Sequence, residues 1–376
     1  MEHMDDKKNE RLLFVDGSRL IVESAVCAGA EVFVGYPITP ANLLYLYSSR
    51  RFPMMFPAPD EISTLQWMSG FSAAGKYPVT ATSFPGFALM LESLNMAYMM
   101  ELPMLIVLAQ RLGPSTGSAT TGAEGDLMLL RGSISGGYPF PVFSVSSPVD
   151  CWNLTAKAIA ASLKMRTPVV LLTSKELAMT MSTVNAGDLE NVERARWELS
   201  TGESYKPYGR TDNLVPPFAP LGDGRFQVRF NASTHDESGL IRKTDAAALS
   251  NTTRLKEKVE KWISDYTFYD LDEEPGAGKL IVSYGITSGS AREALGIMRK
   301  RGEKASLLIV KTLLPVPSAV IEIMSRYNRV FIAEENLTGL LCEIIYGVAG
   351  RPSVQSIGKI GTMITPREIV DRVVES

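Results

Sequence analysis

Thr39 and Arg111 are side chains whose surroundings point to chemistry. Thr39 lies in the stretch Gly35-Tyr36-Pro37-Ile38-Thr39-Pro40. Each proline there fixes its own φ and drives the residue before it out of the helical region, so the loop is rigid enough to hold a hydroxyl toward a ligand. A purely structural proline turn is the other reading of these residues. Arg111 opens the run Leu112-Gly113-Pro114-Ser115-Thr116-Gly117. A guanidinium beside a loop rich in glycine and hydroxyls is placed to hold a small anion, and pairing with a structural acid is its alternative. The acids Asp60 and Glu61 head an apolar helical pattern of Ile62, Leu65, Met68, Phe71 and Ala74, where a negative charge complements the helix dipole.

The elements that must position these residues follow a βα rhythm. The sequence predicts strands over 13–15, 30–34, 78–82, 104–109, 142–145 and 169–173, with helices over 19–28, 41–47 and 151–165. Residues 83–87 read as a tight turn before a methionine-rich helix whose methionines serve as packing. Thr39 and Arg111 then fall at the carboxyl ends of strands, where open α/β sheets bind ligands. Met104 to Ala109 is continuously apolar, as a central parallel strand requires. Residues 183–275 are richer in proline and glycine and read as an ordered linker, closed by a charged helix over 253–265. The rhythm returns from Lys279, with strands over 280–284, 305–310 and 330–333 and helices over 288–301, 318–326 and 366–374. The expected organisation is a charged, disordered tail over 1–10, an α/β domain with a parallel sheet over 11–182, the linker over 183–275, and a smaller doubly wound α/β domain over 276–376.

Composition narrows the function. The 376 residues are 45% hydrophobic and carry a formal charge of -3, which affords no basic field for nucleic acid. Cys27, Cys151 and Cys342 are the three cysteines; they lie far apart and cannot build a four-thiolate cluster or zinc site. Any iron-sulfur centre must sit on another chain. With only two histidines, His3 and His235, a histidine-rich metal site is poorly supported. Free cysteines without a secretory signal point to a reducing cytoplasm. The most apolar stretch, 87–109, is interrupted by Glu92, Asn95, Glu101 and Pro103 and is not a membrane span. Gly222-Asp223-Gly224 with the later Asn251 looks like a magnesium-diphosphate motif. It lacks the required strand before and helix after, since 226–230 alternates like a strand, and it reads as a surface turn.

Taken in order, GYPITP at Gly35, DEI at Asp60, ATSFPGFALM at Ala81, QRLGPSTG at Gln110, GDLM at Gly125, GDG at Gly222, THDESG at Thr234, and KIG with ITP at Lys359 and Ile364 resemble the alpha subunits of 2-oxoacid:ferredoxin oxidoreductases, especially the 2-oxoglutarate type. The resemblance covers about residues 12–374. It implies a pyrimidine-binding domain of the thiamine diphosphate enzymes, followed by a domain like the transketolase carboxyl-terminal domain. It also implies a beta subunit that supplies the diphosphate-binding domain, Mg2+ and a 4Fe-4S cluster, with thiamine diphosphate shared between the two chains. The implied reaction is the coenzyme A-dependent oxidative decarboxylation of a 2-oxoacid, electrons passing to ferredoxin. On this resemblance Glu61 is the catalytic carboxyl that shares a proton with the cofactor's pyrimidine, and Pro37, Ile38 and Phe84 line the cofactor. Arg111, Thr39, Ser115 and Thr116 take the substrate. Phe84 stands where related chains carry glycine, and GSISGG at Gly132 lacks an expected histidine. Half of a split, non-oxidative decarboxylase, or a degenerate structural subunit, would share most of these features.

Overall fold

The computed structural model describes residues 11–375; the tail expected over 1–10 lies outside them. The first part of the chain runs β1 (Leu12–Val15), α1 (Gly17–Cys27), β2 (Val32–Gly35), α2 (Asn42–Arg51), β3 (Met54–Pro57), α3 (Glu61–Ala73), β4 (Pro78–Thr82), α4 (Phe84–Leu89), α5 (Leu91–Met99) and β5 (Met104–Gln110). It continues through α6 (Leu127–Arg131), β6 (Val142–Ser144), α7 (Pro148–Met165), β7 (Pro168–Ser174), α8 (Lys175–Met179) and β8 (Ser182–Asn185). After a long segment with little regular structure come α9 (Ala246–Trp262), β9 (Tyr269–Asp272), β10 (Lys279–Ser283), α10 (Thr287–Lys300), β11 (Ser306–Val310) and β12 (Thr312–Leu314). The chain then closes with α11 (Ser318–Ser325), β13 (Arg329–Glu334), α12 (Leu340–Tyr346), β14 (Val354–Gly358) and α13 (Pro366–Val374).

The principal sheet has seven strands in the order β12-β6-β7-β5-β4-β2-β3. Its internal pairs are parallel; only β12 runs antiparallel, against β6. Every residue of β5 is buried, because helices cover both faces of the sheet. Alternation along that strand sends Met104, Ile106 and Leu108 into one core and Leu105, Val107 and Ala109 into the other. The first of these cores is continuous with Leu280, Val282, Leu308 and Ile332 of the second sheet. That sheet has five strands in the order β14-β13-β10-β11-β9, with β9 antiparallel at its edge. Two strands therefore cross between the parts of the chain as the sequence divides them: β9, drawn from the connecting segment, extends the second sheet, and β12 extends the first.

Several local expectations are corrected. Residues 83–87 are not a tight turn; Phe84 and Pro85 start α4, with Ser83 as the extended residue before it, since proline is well accommodated in a first helical turn. The proline-flanked Met54–Pro57 forms edge strand β3, paired along β2. Residues 226–230 form no strand. β1 pairs with β8 in a separate two-stranded sheet rather than joining the main one.

Candidate functional site

The parallel arrangement of β2, β4 and β5 brings the loops that follow them to one edge of the sheet. Their neighbour order β5-β4-β2-β3 sets the loop after β4 between those carrying Arg111 and Thr39. The helix α3, entered from β3, delivers Glu61 to the same edge.

Asp60 and Glu61 have different tasks. Asp60 is the N-cap, its carboxyl accepting from the backbone N–H of Ser63 at 2.7 Å; that hydrogen bond holds its pKa below the usual carboxylate range. One residue later, Glu61 falls on the face that also carries Leu65 and Met68, both 0% exposed, because positions four and seven apart on a helix point the same way. Glu61 is consequently buried at 7% exposure, and among the described residues nothing hydrogen-bonds to its carboxyl. Its Oε1 packs against Gly86 of α4: a Cβ there would come within 2.7 Å of that oxygen and would also collide with the Thr82 hydroxyl. The sequence ATSFPGFALM therefore supplies a glycine that makes room for a carboxylate. Beside it the Ser83 hydroxyl is buried and unpartnered.

Across the same edge, Arg111 leaves the end of β5 and donates from Nη1 to the backbone carbonyl of Thr39 at 2.5 Å. This bond ties two of the loops together across β4. Arg111 is 5% exposed and its Nε has no partner. Burial pulls its pKa down, with partial compensation from Asp126. Thr39 and Ile38 are half-buried, Pro37 is exposed, and Phe84 is half-buried at the start of α4. Ser115 and Thr116 sit exposed at the outer turn of the loop, which Leu112 and Ser118 close by a backbone hydrogen bond of 2.9 Å. The structure thus joins Arg111 to Thr39 and Glu61 to the Thr82–Gly86 segment, and sets Ser115 and Thr116 at the rim.

Acids that the sequence reading left unassigned lie where the Arg111 loop returns. Asp126, within the GDLM motif, is 4% exposed; burial pushes its pKa up to about 7, with Arg111 pulling the other way. Glu124 is fully buried between the two sheets, accepting from Thr287 Oγ1 and the Glu335 backbone N–H, each at 2.9 Å. Burial raises its pKa to about 8. Position in a polar loop gave no burial signal for either; the motif itself was the available clue. The Gly222-Asp223-Gly224 turn is spent locally, with Asp223 paired to Arg225 at 2.8 Å. Asn251 is bound up with His235 and Arg254. No cluster of three or more metal-ligating side chains occurs among the described residues, and none of their helices is long and apolar enough to cross a membrane.

Comparison with known proteins adds independent findings. The family model "Pyruvate flavodoxin/ferredoxin oxidoreductase, thiamine diphosphate-binding" matches residues 23–254, and that of the pyruvate:ferredoxin oxidoreductase core domain II matches residues 277–369. The 2-oxoglutarate synthase subunit KorA of Methanothermobacter thermautotrophicus is 29% identical over 96% of this chain and 98% of its own length. A solved 2-oxoglutarate:ferredoxin oxidoreductase from Magnetococcus marinus, with 2-oxoglutarate, coenzyme A and succinyl-CoA bound, superposes with a TM-score of 0.91 at 29% identity. That match covers 99% of this chain and 66% of the other. An inactive beta4 tetramer of a split-gene transketolase is similar in fold alone, with a TM-score of 0.53 and 15% identity over 96% of this chain and 95% of that one.

Proposed function

The chain belongs to the pyruvate flavodoxin/ferredoxin oxidoreductase thiamine diphosphate-binding family, and from that membership we propose that it is the alpha subunit of a 2-oxoacid:ferredoxin oxidoreductase, with 2-oxoglutarate as the favoured substrate. The observation that carries the reading is the Glu61 carboxyl, buried, free of hydrogen bonds from the described chain, and fitted against a glycine with no room for a side chain. A carboxyl held at that edge of the sheet with no partner from the described chain is free to meet a ring nitrogen of a bound molecule, so these residues fit thiamine diphosphate. When bound, the cofactor supplies a nucleophilic carbon and an electron sink for decarboxylation.

With the cofactor bound, Glu61 would share a proton with its pyrimidine ring, and Pro37, Ile38 and Phe84 would line it. Arg111, its fork anchored on the Thr39 carbonyl, pairs with the substrate carboxylate, and the Thr39 hydroxyl meets the substrate near the 2-oxo group. Ser115 and Thr116 complete the rim. A beta subunit supplies the diphosphate-binding half with Mg2+ and the 4Fe-4S cluster. Ferredoxin takes the electron pair, coenzyme A takes the acyl group, and the complex works in the cytoplasm.

The test is dye reduction by the complex purified anaerobically from its native source, assayed with a panel of 2-oxoacids with and without coenzyme A. Viologen reduction that requires both a 2-oxoacid and coenzyme A is expected, strongest with 2-oxoglutarate. Decarboxylation without dye reduction would replace this reading with a non-oxidative one.

A further inference from the structure

The loop that begins at Arg111 comes back to it at Asp126. The Asp126 backbone N–H donates to the side-chain carbonyl of Gln110 at 3.3 Å, the residue just before Arg111, and the Asp126 carbonyl accepts from Leu130 at 3.1 Å to start α6. Both Arg111 and Asp126 are at least 95% buried. Each nonetheless retains an orphan polar atom: Nε of the guanidinium and Oδ2 of the carboxyl have no hydrogen-bond partner. The two side chains interact electrostatically, yet they form no ion pair within 4.0 Å.

A buried donor and a buried acid that lie in one another's field without pairing each carry a desolvation cost. One kind of group relieves both. A carboxylate oxygen accepts from Arg111 Nε, and the same carboxylate accepts from Asp126 when that side chain carries its proton. We propose that Asp126, in its protonated form, is the second half of the carboxylate-binding pocket that Arg111 begins, and donates a hydrogen bond to the carboxylate of the bound 2-oxoacid. This rests on the substrate role given to Arg111 above.

The surroundings favour a neutral Asp126. Burial raises its pKa, and Arg111 is the charged group acting against that rise. Just after β10, the phenol of Tyr284 is raised well above its ordinary pKa by burial first, with Glu124, Glu334 and then Asp126 adding to the rise. Glu124, two residues back, turns its carboxyl onto Thr287 and Glu335 instead. The helix α12, packed on α6, brings Cys342, Glu343 and Tyr346, none of which contributes to the Asp126 shift. Loss of the proton weakens substrate binding in two ways: the donor disappears, and the new anion competes with the substrate for Arg111.

The experiment is calorimetric titration of 2-oxoglutarate into the assembled alpha-beta complex stripped of thiamine diphosphate, with kcat and KM measured on the cofactor-loaded complex. With a pKa of about 7, the protonated fraction falls about tenfold between roughly pH 6 and 8, so wild-type Kd should rise about tenfold over that range. Asp126→Asn keeps a donor and should bind with nearly flat pH dependence, whereas Asp126→Ala should bind about tenfold more weakly even at the acidic end. A wild-type complex that is active but shows the same pH slope as Asp126→Asn overturns the proposal. So does an Asp126→Ala complex with unchanged Kd and KM and only a lowered melting temperature. A wild-type complex that oxidises no 2-oxoacid removes the oxidoreductase reading as well.

Discussion

Gly86 shows how little a site residue needs in order to matter. Its role is to be absent as a side chain: a Cβ would meet both the Thr82 hydroxyl and the Glu61 carboxyl. Gly86→Ala should therefore displace Glu61 and lower turnover while the sheet stays folded, which far-ultraviolet circular dichroism beside the dye-reduction assay will check. Glu61→Gln keeps the shape but changes the proton chemistry, and turnover should fall by at least about tenfold, the low side of acid-base contributions. Wild-type turnover in that variant would take Glu61 out of the mechanism. Arg111→Lys retains charge and loses the planar fork, so KM for the 2-oxoacid should rise by about tenfold or more, equivalent to a charge-assisted hydrogen bond of about 1.5–3 kcal/mol. An unchanged KM would confine Arg111 to its bond with Thr39.

The element most dependent on charge is α9. Its Arg254 and Lys258, one helical turn apart, both reach the fully buried Glu101 just after α5: Arg254 forks onto both carboxylate oxygens, and Lys258 Nζ lies 2.6 Å from Oε2. Burial alone would raise the Glu101 pKa, but Arg254 and Lys258 overcome it and hold the acid well below its usual range. Lys258 is pushed down to about 8 by burial, with Glu101 opposing. Arg166, the left-handed C-cap of α7, reaches into the connecting segment and donates to the Pro216 carbonyl at 2.9 Å. These bonds hold α9 and the proline-rich segment to the first sheet. Removing the acid alone, as in Glu101→Gln, leaves buried cations uncompensated and should cost about 3–5 kcal/mol in denaturant unfolding. Replacing Glu101, Arg254 and Lys258 together by apolar residues should restore part of that loss. A single variant as stable as wild type would show that the network contributes little.

At the scale of the whole molecule, the two sheets meet through carboxyl groups that prefer to be neutral. Glu124 enters the start of α10, its pKa raised by burial to about 8, and Glu335, raised by burial to about 7, lies beside it. Unfolded, such groups ionise near the ordinary carboxylate pKa of about 4.3. Between that value and the folded ones the native chain binds more protons than the unfolded chain, so stability must fall as pH rises through that window and level off above about 8. The slope approaches about 1.4 kcal/mol per pH unit for each such group. Glu101, shifted the opposite way, adds stability that is lost only as pH falls below the ordinary carboxylate range. Glu124→Gln should flatten the decline in melting temperature from roughly pH 5.5 to 7.5. An equally steep decline in the variant would move the effect to other acids.

Most of the parallel framework was legible in the sequence because its cause is local. A run such as Met104 to Gln110 can be buried on both faces only in the middle of a covered sheet, and the ordered motifs from Gly35 to Thr365 carried the family resemblance without any coordinates. Thr39 and Arg111 were legible as strand-end residues for the same reason. Long-range decisions were not. β12 joins the first sheet and β9 the second because pairing rewards proximity in space rather than in sequence. The helical turn at Phe84 was hidden by Pro85 and Gly86, residues that suit a turn as readily as a first helical turn. Asp126 and Glu124 sit in a polar loop whose local pattern reads as exposed. Only the tertiary structure, which docks Glu124 against Thr287 and Glu335 and buries Asp126 beside Arg111, removes their water and raises both pKa values.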